Sequence, residues 1–589
     1  MNKTDPFPTV DHQADVCVVG GGMAGLCAAL AAARHGAHTV LMHDRPVLGG
    51  NASSECRVHI CGADRHNRRP FLRETGILEE LRLENLRRNP NRNFSVWDAV
   101  LYDAARTQPG LTLLLNCSCL DAAMEGSRIA SVTGWQGTTQ TWQRVQAAVF
   151  VDCSGDAVLA PLTGAQWRMG REARSEYGES IAPEVADART MGMTLMFQAR
   201  EYPTPQVFEP PTWAYVFEKE EDLPYGAAGH HWWHQGYWWL EIGGEQDPLH
   251  DTEALRDELL RIALGVWDHI KNRGDHGAAN WALEWLQFLP AKRESRRYIG
   301  DHVLTQGDIE TGGRFPDAVA YGGWPMDDHH PAGFWAARLG SPATVFHPVD
   351  APYGIPYRAL YSANVDNLLF AGRNASCTHA AMSSTRVMGT GCSMGQAVGT
   401  AAAMAARLGV MPRQLGGRIG DLQQALLADD AYLLGIARET PPLTRSATLS
   451  ASQGDPEPVR DGVTRPVGDN RHGWLARPGD WIAYRFSHRS RVERADLVLD
   501  SALDSLIALS HTQRDDQLTA PPPPLPKVFR LEGLVGEAWQ PLARVEGNYQ
   551  RLVRVPIGRE LSGVRLTIEQ TWGAPQTWVY GFSVLEKQG

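Results

Sequence analysis

No uninterrupted apolar run long enough to cross a bilayer occurs in the 589-residue chain, so no membrane-spanning helix is expected. An excess of positive charge is lacking too. Lys and Arg number 56 against 67 Asp and Glu, a formal net charge of −11, which argues against a nucleic-acid-binding surface. Cysteine is sparse and ends early: the nine are Cys17, Cys27, Cys56, Cys61, Cys117, Cys119, Cys153, Cys377 and Cys392. None sits in CxxC spacing, so neither a thioredoxin-like redox pair nor a zinc ribbon is indicated. Several fall on expected buried strands or helices, where Cys acts as a small hydrophobe, and a reducing compartment fits best. The opening residues, Met-Asn-Lys-Thr-Asp-Pro-Phe-Pro, contain no apolar signal core, cleavage site or twin arginine. A cytoplasmic protein is expected, with a periplasmic one left open if a leader precedes residue 1. Internal repeats are also missing, as is a second GxGxxG for a nicotinamide cofactor.

What is present begins at Val16-Cys-Val-Val-Gly20-Gly-Gly22-Met-Ala-Gly25. Four apolar residues predict a buried strand, and three spaced glycines open an alanine-rich helix running to about Arg34. Gly20 permits the tight turn, Gly22 lets backbone approach a pyrophosphate, and Gly25 lets helix pack close to strand. The helix N-terminus offers unpaired N–H groups and a positive dipole end to phosphates. Gly36 then ends the helix and His38–His43 predicts a second strand, completing a βαβ unit. The acid expected at the end of that strand, bonding a ribose hydroxyl, is replaced by His43 followed by Asp44. Either Asp44 takes the role by a one-residue shift or His43 donates instead.

Composition divides the rest. Residues 1–170 alternate strand and helix, a doubly wound α/β pattern with a small β-meander and a hairpin turning at Gly137-Thr-Thr. Residues 171–355 hold ten of the nineteen tryptophans and one long helix near Glu253–Asn272, an α+β substrate domain. Residues 356–440 return to α/β character, with a helix over Thr390–Leu408 whose Gly391, Gly395 and Gly399 share one face. After a Pro/Ser/Thr-rich break, residues 441–589 show strands at Trp481–Phe486, Val492–Leu499, Val528–Leu531, Leu552–Pro556, Gly563–Gln570 and Thr577–Leu585, a β-sandwich.

Three further motifs carry a family resemblance. Val47-Leu-Gly49-Gly50-Asn51-Ala-Ser-Ser54-Glu55 resembles the FAD signature of glutathione-reductase-like flavoproteins. Val149-Phe-Val-Asp152-Cys-Ser-Gly155-Asp156 resembles the second FAD motif, which meets the ribityl–phosphate region. Leu368-Leu-Phe-Ala-Gly372-Arg373, with Ser384-Thr-Arg386-Val-Met and Gly391–Gly399, resembles the third, where the last helix aims its N-terminus at the flavin. Residues 14 to about 440 thus resemble the FAD-dependent oxidoreductase family of GGNASSE type, distantly similar to succinate dehydrogenase and fumarate reductase flavoproteins. The resemblance implies a Rossmann-like FAD-binding domain with an inserted α+β substrate domain, and FAD as cofactor. The sandwich resembles galactose-binding-like jelly rolls through Asp461-Gly, Trp474 and Pro478-Gly-Asp480-Trp481-Ile, and is expected to be an accessory unit without a catalytic group.

His379, between the third motif and its helix, is the candidate to take a hydroxyl proton as hydride leaves for the flavin. Its competing role is structural, bonding the loop backbone. Arg386 and Arg296 are candidates to hold a substrate carboxylate or polarise an oxyanion, against ion pairing or, for Lys292-Arg-Glu-Ser-Arg-Arg297, a solvated face. His59 follows the FAD glycines but at a spacing that favours non-covalent FAD. His230, His231 and His234, and Asp327-Asp328-His329-His330, suggest metal ligands. Adjacent strand histidines point apart, so no metal is assigned and an aromatic and polar substrate pocket suited to sugars is preferred, with plain core packing as the alternative. The leading expectation is hydride transfer between FAD and a small polar substrate, a carbohydrate derivative oxidised at CH–OH being the first candidate. The alternatives are carboxylate redox at a C–C bond of the succinate dehydrogenase kind, flavin-assisted isomerisation or elimination, and a glycan-binding protein with an inert FAD domain. A quinone, a carrier protein or oxygen is left as electron acceptor, and a homo-oligomer is compatible with the composition.

Overall fold

The computed structural model describes residues 6–224, 237–273, 276–510 and 516–586. It divides into two compact units, the first of residues 1–62, 97–419 and 508–515, the second of residues 63–96, 420–507 and 516–589.

The first unit is built on a seven-stranded mixed sheet. Its strands are β1 (Thr9–Val19), β2 (Thr39–Met42), β3 (Leu111–Leu114), β4 (Cys117–Glu125), β5 (Arg128–Gln136), β6 (Thr141–Asp152) and β7 (Leu368–Phe370). The order is β3-β2-β1-β6-β5-β4, with β7 also paired to β6. β3, β2, β1, β6 and β7 run parallel. β4, β5 and β6 form an antiparallel meander turning at residues 137–140. The long β6 serves both arrangements: Thr141–Gln146 pairs with β5, and Phe150–Asp152 pairs with β7. Val16–Val19 is buried on both faces, as strands inside a parallel sheet must be.

Helix α1 (Met23–Arg34) packs against the helix Met388–Leu408 at backbone distance. A Cβ on Gly395 would lie 2.1 Å from the Ala24 carbonyl oxygen, and one on Gly399 2.1 Å from that of Ala28. The glycine face read from the sequence therefore admits a helix backbone, except at Gly391, which stands 3.6 Å from the Gly372 Cα by the same measure. The region between the two nucleotide-binding segments has its own core of Phe197, Phe217, Tyr237, Leu259, Trp267 and Phe334 beside the helix Thr252–Asp268. Here the rings pack on one another: Phe197 stacks on Tyr237 at 4.0 Å and meets Trp267 edge-on at 5.5 Å. His230, His231 and His234 lie outside the described residues.

The second unit is an all-antiparallel sheet of seven strands, ordered Trp474–Ala476, Thr577–Glu586, Trp481–Leu499, Leu552–Thr571, Pro526–Val535, Ala538–Val545, with Thr448–Ala451 added on Trp481–Leu499. The two long strands each join two segments that the sequence reads separately. Register shifts at Arg485/Ser490 and Val492/Arg494 bend them, so each contributes to both layers around Trp474, Tyr484, Phe529 and Phe582. The segment 63–96, which the sequence places inside the first α/β region, clusters with this unit.

Candidate active site

The glycine turns converge. Gly20 has φ +98°, and a Cβ there would sit 2.5 Å from the Cys153 and Ser154 backbone. A Cβ on Gly25 would fall 1.8 Å from the Gly20 carbonyl oxygen. Gly22 differs: its φ of −63° suits any residue, and the nearest atom to a Cβ is the Gly50 Cα at 3.9 Å. The Gly49 N–H donates to the Gly21 carbonyl at 2.9 Å, drawing the Gly49–Gly50 turn against Gly22. Gly20 and Gly25 are thus fixed by protein, while Gly22 faces space. α1 starts at Gly22 with no side-chain cap and no acid in its first turn, and the helix Met388–Leu408 also starts without either. Beside them the Asn374 Oδ1 and Thr390 Oγ1 atoms are buried with no hydrogen-bond partner among the described residues. Two uncapped helix N-termini, an open glycine face and orphaned polar atoms fit a large anionic cofactor with a pyrophosphate.

The groups beside this cradle are mostly committed to protein. His43 Nδ1 accepts from the Gly21 N–H at 2.9 Å, and its Nε2 donates to the Val47 carbonyl at 3.0 Å. Both ring nitrogens hold the loop, so His43 has none to give a ribose; Asp44 beside it is exposed. Asp152 is also spent on structure. Its carboxylate accepts from the Ser154 N–H and hydroxyl, the Leu159 N–H, and the Tyr298 hydroxyl at 2.6 Å. Asp156 pairs with Arg373 at 2.8 Å and Lys292 at 3.1 Å, and accepts from Ser295 at 2.7 Å. Burial alone would raise its carboxyl; Arg373, Lys292 and Ser295 outweigh burial and hold it well below the usual carboxylate range. Arg373 also donates to the Gly155 carbonyl and fills the space over it. The Asn51 amide donates to the Lys292 carbonyl at 3.1 Å, and the Ser54 N–H to Asp98 at 3.0 Å.

The extended stretch Lys292–Arg297 links the cradle to a buried ionic cluster. Lys292, Ser295 and Arg296 turn to Asp156; Glu294 and Arg297 turn to His379. His379 opens the helix His379–Thr385. Its Nδ1 meets Glu294 Oε2 at 2.8 Å, its Nε2 meets Asp328 Oδ1 at 3.2 Å, and its backbone N–H donates to Glu172 at 2.8 Å. Arg297, fully buried, donates to Glu294, Glu172, and the carbonyls of Gly170 and Cys377. Burial would lower the His379 pKa, but Glu294 and Asp328 outweigh it and raise it to about 10. The ring is an imidazolium at neutral pH, with both N–H groups engaged. Two flanking carboxylates favour the charged ring, an arrangement that weighs against the base role expected for it.

The strand Met326–His329 alternates, sending Asp328 to His379 and Asp327 and His329 to the other face. There Asp327 pairs with Arg386 at 3.2 Å, His329 meets Asp327 at 3.2 Å and Glu241 at 2.6 Å, and Glu241 meets Arg293 at 3.3 Å. Arg386 is thereby brought beside the His379 cluster through adjacent residues of one strand. Arg296 is not: its guanidinium lies over Trp167 at 5.1 Å and donates to the Asp156 carbonyl at 3.4 Å. The buried arginines are its neighbours Arg293 and Arg297, for which a solvated face is the competing reading of the sequence. Glu172, Glu241, Glu294 and Arg297 carry no motif; of the four only Glu241, in Trp238-Trp-Leu-Glu241-Ile, stands out as a charge among apolar neighbours. His59 is buried against Trp238, edge-on at 4.7 Å.

A family model described as FAD dependent oxidoreductase matches residues 15–426. No curated protein matches the sequence. Among solved structures, a family 32 carbohydrate-binding module from Streptococcus pneumoniae EndoD is 15% identical at TM-score 0.19, covering 25% of this chain and 99% of that one. The family 32 module of C. perfringens NanJ in complex with galactose is 11% identical at TM-score 0.18, covering 25% and 97%. L-proline dehydrogenase from P. horikoshii is 17% identical at TM-score 0.16, covering 29% and 26%. Likeness at these scores does not extend to ligand or activity. No described helix is long and apolar enough to cross a membrane.

Proposed function

The chain belongs to the FAD dependent oxidoreductase family, and from that premise we propose that it oxidises a CH–OH group of a small polyhydroxylated substrate, a carbohydrate derivative. FAD, when bound, accepts the hydride. The Gly20–Gly25 turn and the N-terminus of α1 would hold its pyrophosphate, and the N-terminus of the helix Met388–Leu408 would face the flavin. The observation that carries the substrate reading is the charge balance of the cluster next to this cradle. Arg386 and Arg293 are each matched by an acid, Asp327 and Glu241, so neither stands ready as a carboxylate clamp. Asp328 has a side chain 25% exposed and is backed by the His379 imidazolium on Oδ1. Its Oδ2 then meets the substrate hydroxyl, accepts its hydrogen bond, and passes the proton to solvent as the C–H hydride leaves.

The test is anaerobic mixing of the flavinated protein with sugars, sugar acids and dicarboxylates while flavin absorbance is followed. Bleaching by a sugar or sugar acid is the expected result, with Asp328→Asn keeping its flavin and slowing the bleaching by about 10²-fold or more. Bleaching by a dicarboxylate such as succinate and by no polyol would overturn the reading.

A further inference from the structure

A second cluster lies away from the cradle, at the end of the long helix of the middle region. The helix Thr252–Asp268 does not stop at Asp268 but underwinds into a π-helical turn, His269–Arg273. Such turns recur at functional sites because they re-aim one side chain. Here the first residue of the turn, His269, is buried, and its Nδ1 lies 2.8 Å from the Phe217 carbonyl oxygen. A carbonyl only accepts, so Nδ1 carries a proton and Nε2 is the nitrogen turned outward to a ligand. That Nε2 faces Glu220 Oε1 at 3.3 Å, and His276 Nε2 reaches the same oxygen at 3.4 Å. The three ligand atoms lie within 4.8 Å of one another.

Two imidazole nitrogens thus converge on one carboxylate oxygen, a donor set for a cation between them. The spacing suits one. Bonds of about 2.0–2.1 Å at tetrahedral angles put neighbouring ligand atoms roughly 3.3–3.4 Å apart. The His269 bond to a backbone carbonyl is also the outer contact that metal-binding histidines use to fix tautomer and ring direction. Nearby, Arg273 pairs with Asp268 at 2.8 Å and with Glu218 at 2.5 Å. We propose that His269, His276 and Glu220 form a binding site for a divalent zinc-class cation. Two imidazoles and one carboxylate favour zinc and its transition-metal neighbours over calcium or magnesium. Glu220, 36% exposed, keeps one side open, so a water completes the coordination. The ion would tie the end of the long helix to the turn Glu220–Asp222 and to the segment at His276. This site is independent of the flavin chemistry and uses none of the histidines that the sequence weighs as metal ligands.

The flavinated full-length protein is freed of metal with a chelator, titrated with zinc chloride in a calorimeter, and assayed for metal content and melting temperature. The expected result is zinc binding at one site and a raised melting temperature. His276→Ala and Glu220→Gln should each bind at least about tenfold more weakly and lose the zinc-dependent rise. Their melting temperatures without zinc, compared with the metal-free parent, separate loss of the site from loss of fold. Equal zinc affinity, content and melting response in the parent and in folded His276→Ala would overturn the proposal.

Discussion

A single proton decides how the ionic cluster behaves. His379 is charged because Glu294 and Asp328 flank it, and its pKa of about 10 stands above the ordinary 6.5. A raised folded-state pKa means that its contribution to stability is complete below about pH 6.5 and is lost as pH rises through 10. Melting temperature should therefore decline across that window in the parent, with a flatter profile in His379→Gln. His379→Ala leaves two acids without their shared cation and should cost about 3–5 kcal/mol, read by denaturant titration. The glycines divide in the same residue-by-residue way. Gly22 has ordinary φ and room for a side chain, whereas Gly25 has a carbonyl oxygen where its Cβ would go. Gly22→Asp should fold but purify nearly colourless, because its carboxylate meets the phosphates. Gly25→Ala should lower the melting temperature of the flavin-free protein itself. A yellow, fully flavinated Gly22→Asp protein would sink the placement of the cofactor.

At the scale of the element, the stretch Lys292–Arg297 shows what a sequence can and cannot convey. The Gly20–Gly25 turn was legible because its chemistry is local: strand, turn and helix lie within twenty residues. The strands of the sandwich were legible from β-rich runs between turns, although the bends that join them in pairs are not written in hydropathy. Lys292-Arg-Glu-Ser-Arg-Arg297 reads as a polar surface because four of its six residues are cationic. Its burial depends on acids far away in sequence, Asp156, Glu172 and Glu241, and no local pattern announces such partners. Likewise Asp327-Asp328 looks like one acidic pair, yet pleating sends the two carboxylates to different cations. Two neighbouring arginines should then respond in opposite ways. Arg297→Lys loses the fork that serves four acceptors and should cost roughly 3 kcal/mol or more in stability. Arg296→Ala, which removes a ring contact and one long hydrogen bond, should cost about 1 kcal/mol or less. Chemical denaturation of the pair separates these outcomes, and equal losses would contradict the assignment of Arg297 as the buried member.

For the whole molecule, the second unit is assembled from distant parts of the chain. Buried Arg73 pairs with Glu79 at 2.8 Å and donates to the Ser501 and Ala502 carbonyls. Buried Arg551 pairs with Asp430 at 2.8 Å, and Arg465 donates to Thr75 at 2.6 Å. A chain ending near residue 440 keeps Arg73, Glu79 and Asp430 but loses Ser501, Ala502, Arg465 and Arg551. The sequence makes the sandwich a detachable accessory; these bonds make such a cut disruptive. The shortened chain should be recovered mostly in the insoluble fraction, with the full chain soluble under the same expression. A soluble, monomeric and flavinated fragment would show that residues 63–96 hold their structure without the rest of their unit. Their position also sets a clock on synthesis. Residues 63–96 leave the ribosome about 320 residues before the next part of their unit is made. At roughly 5–20 residues per second they wait for some 15–60 s. Through that interval Leu78, Leu81, Leu83 and Leu86, all buried in the finished molecule, await the rest of the unit with which their segment clusters.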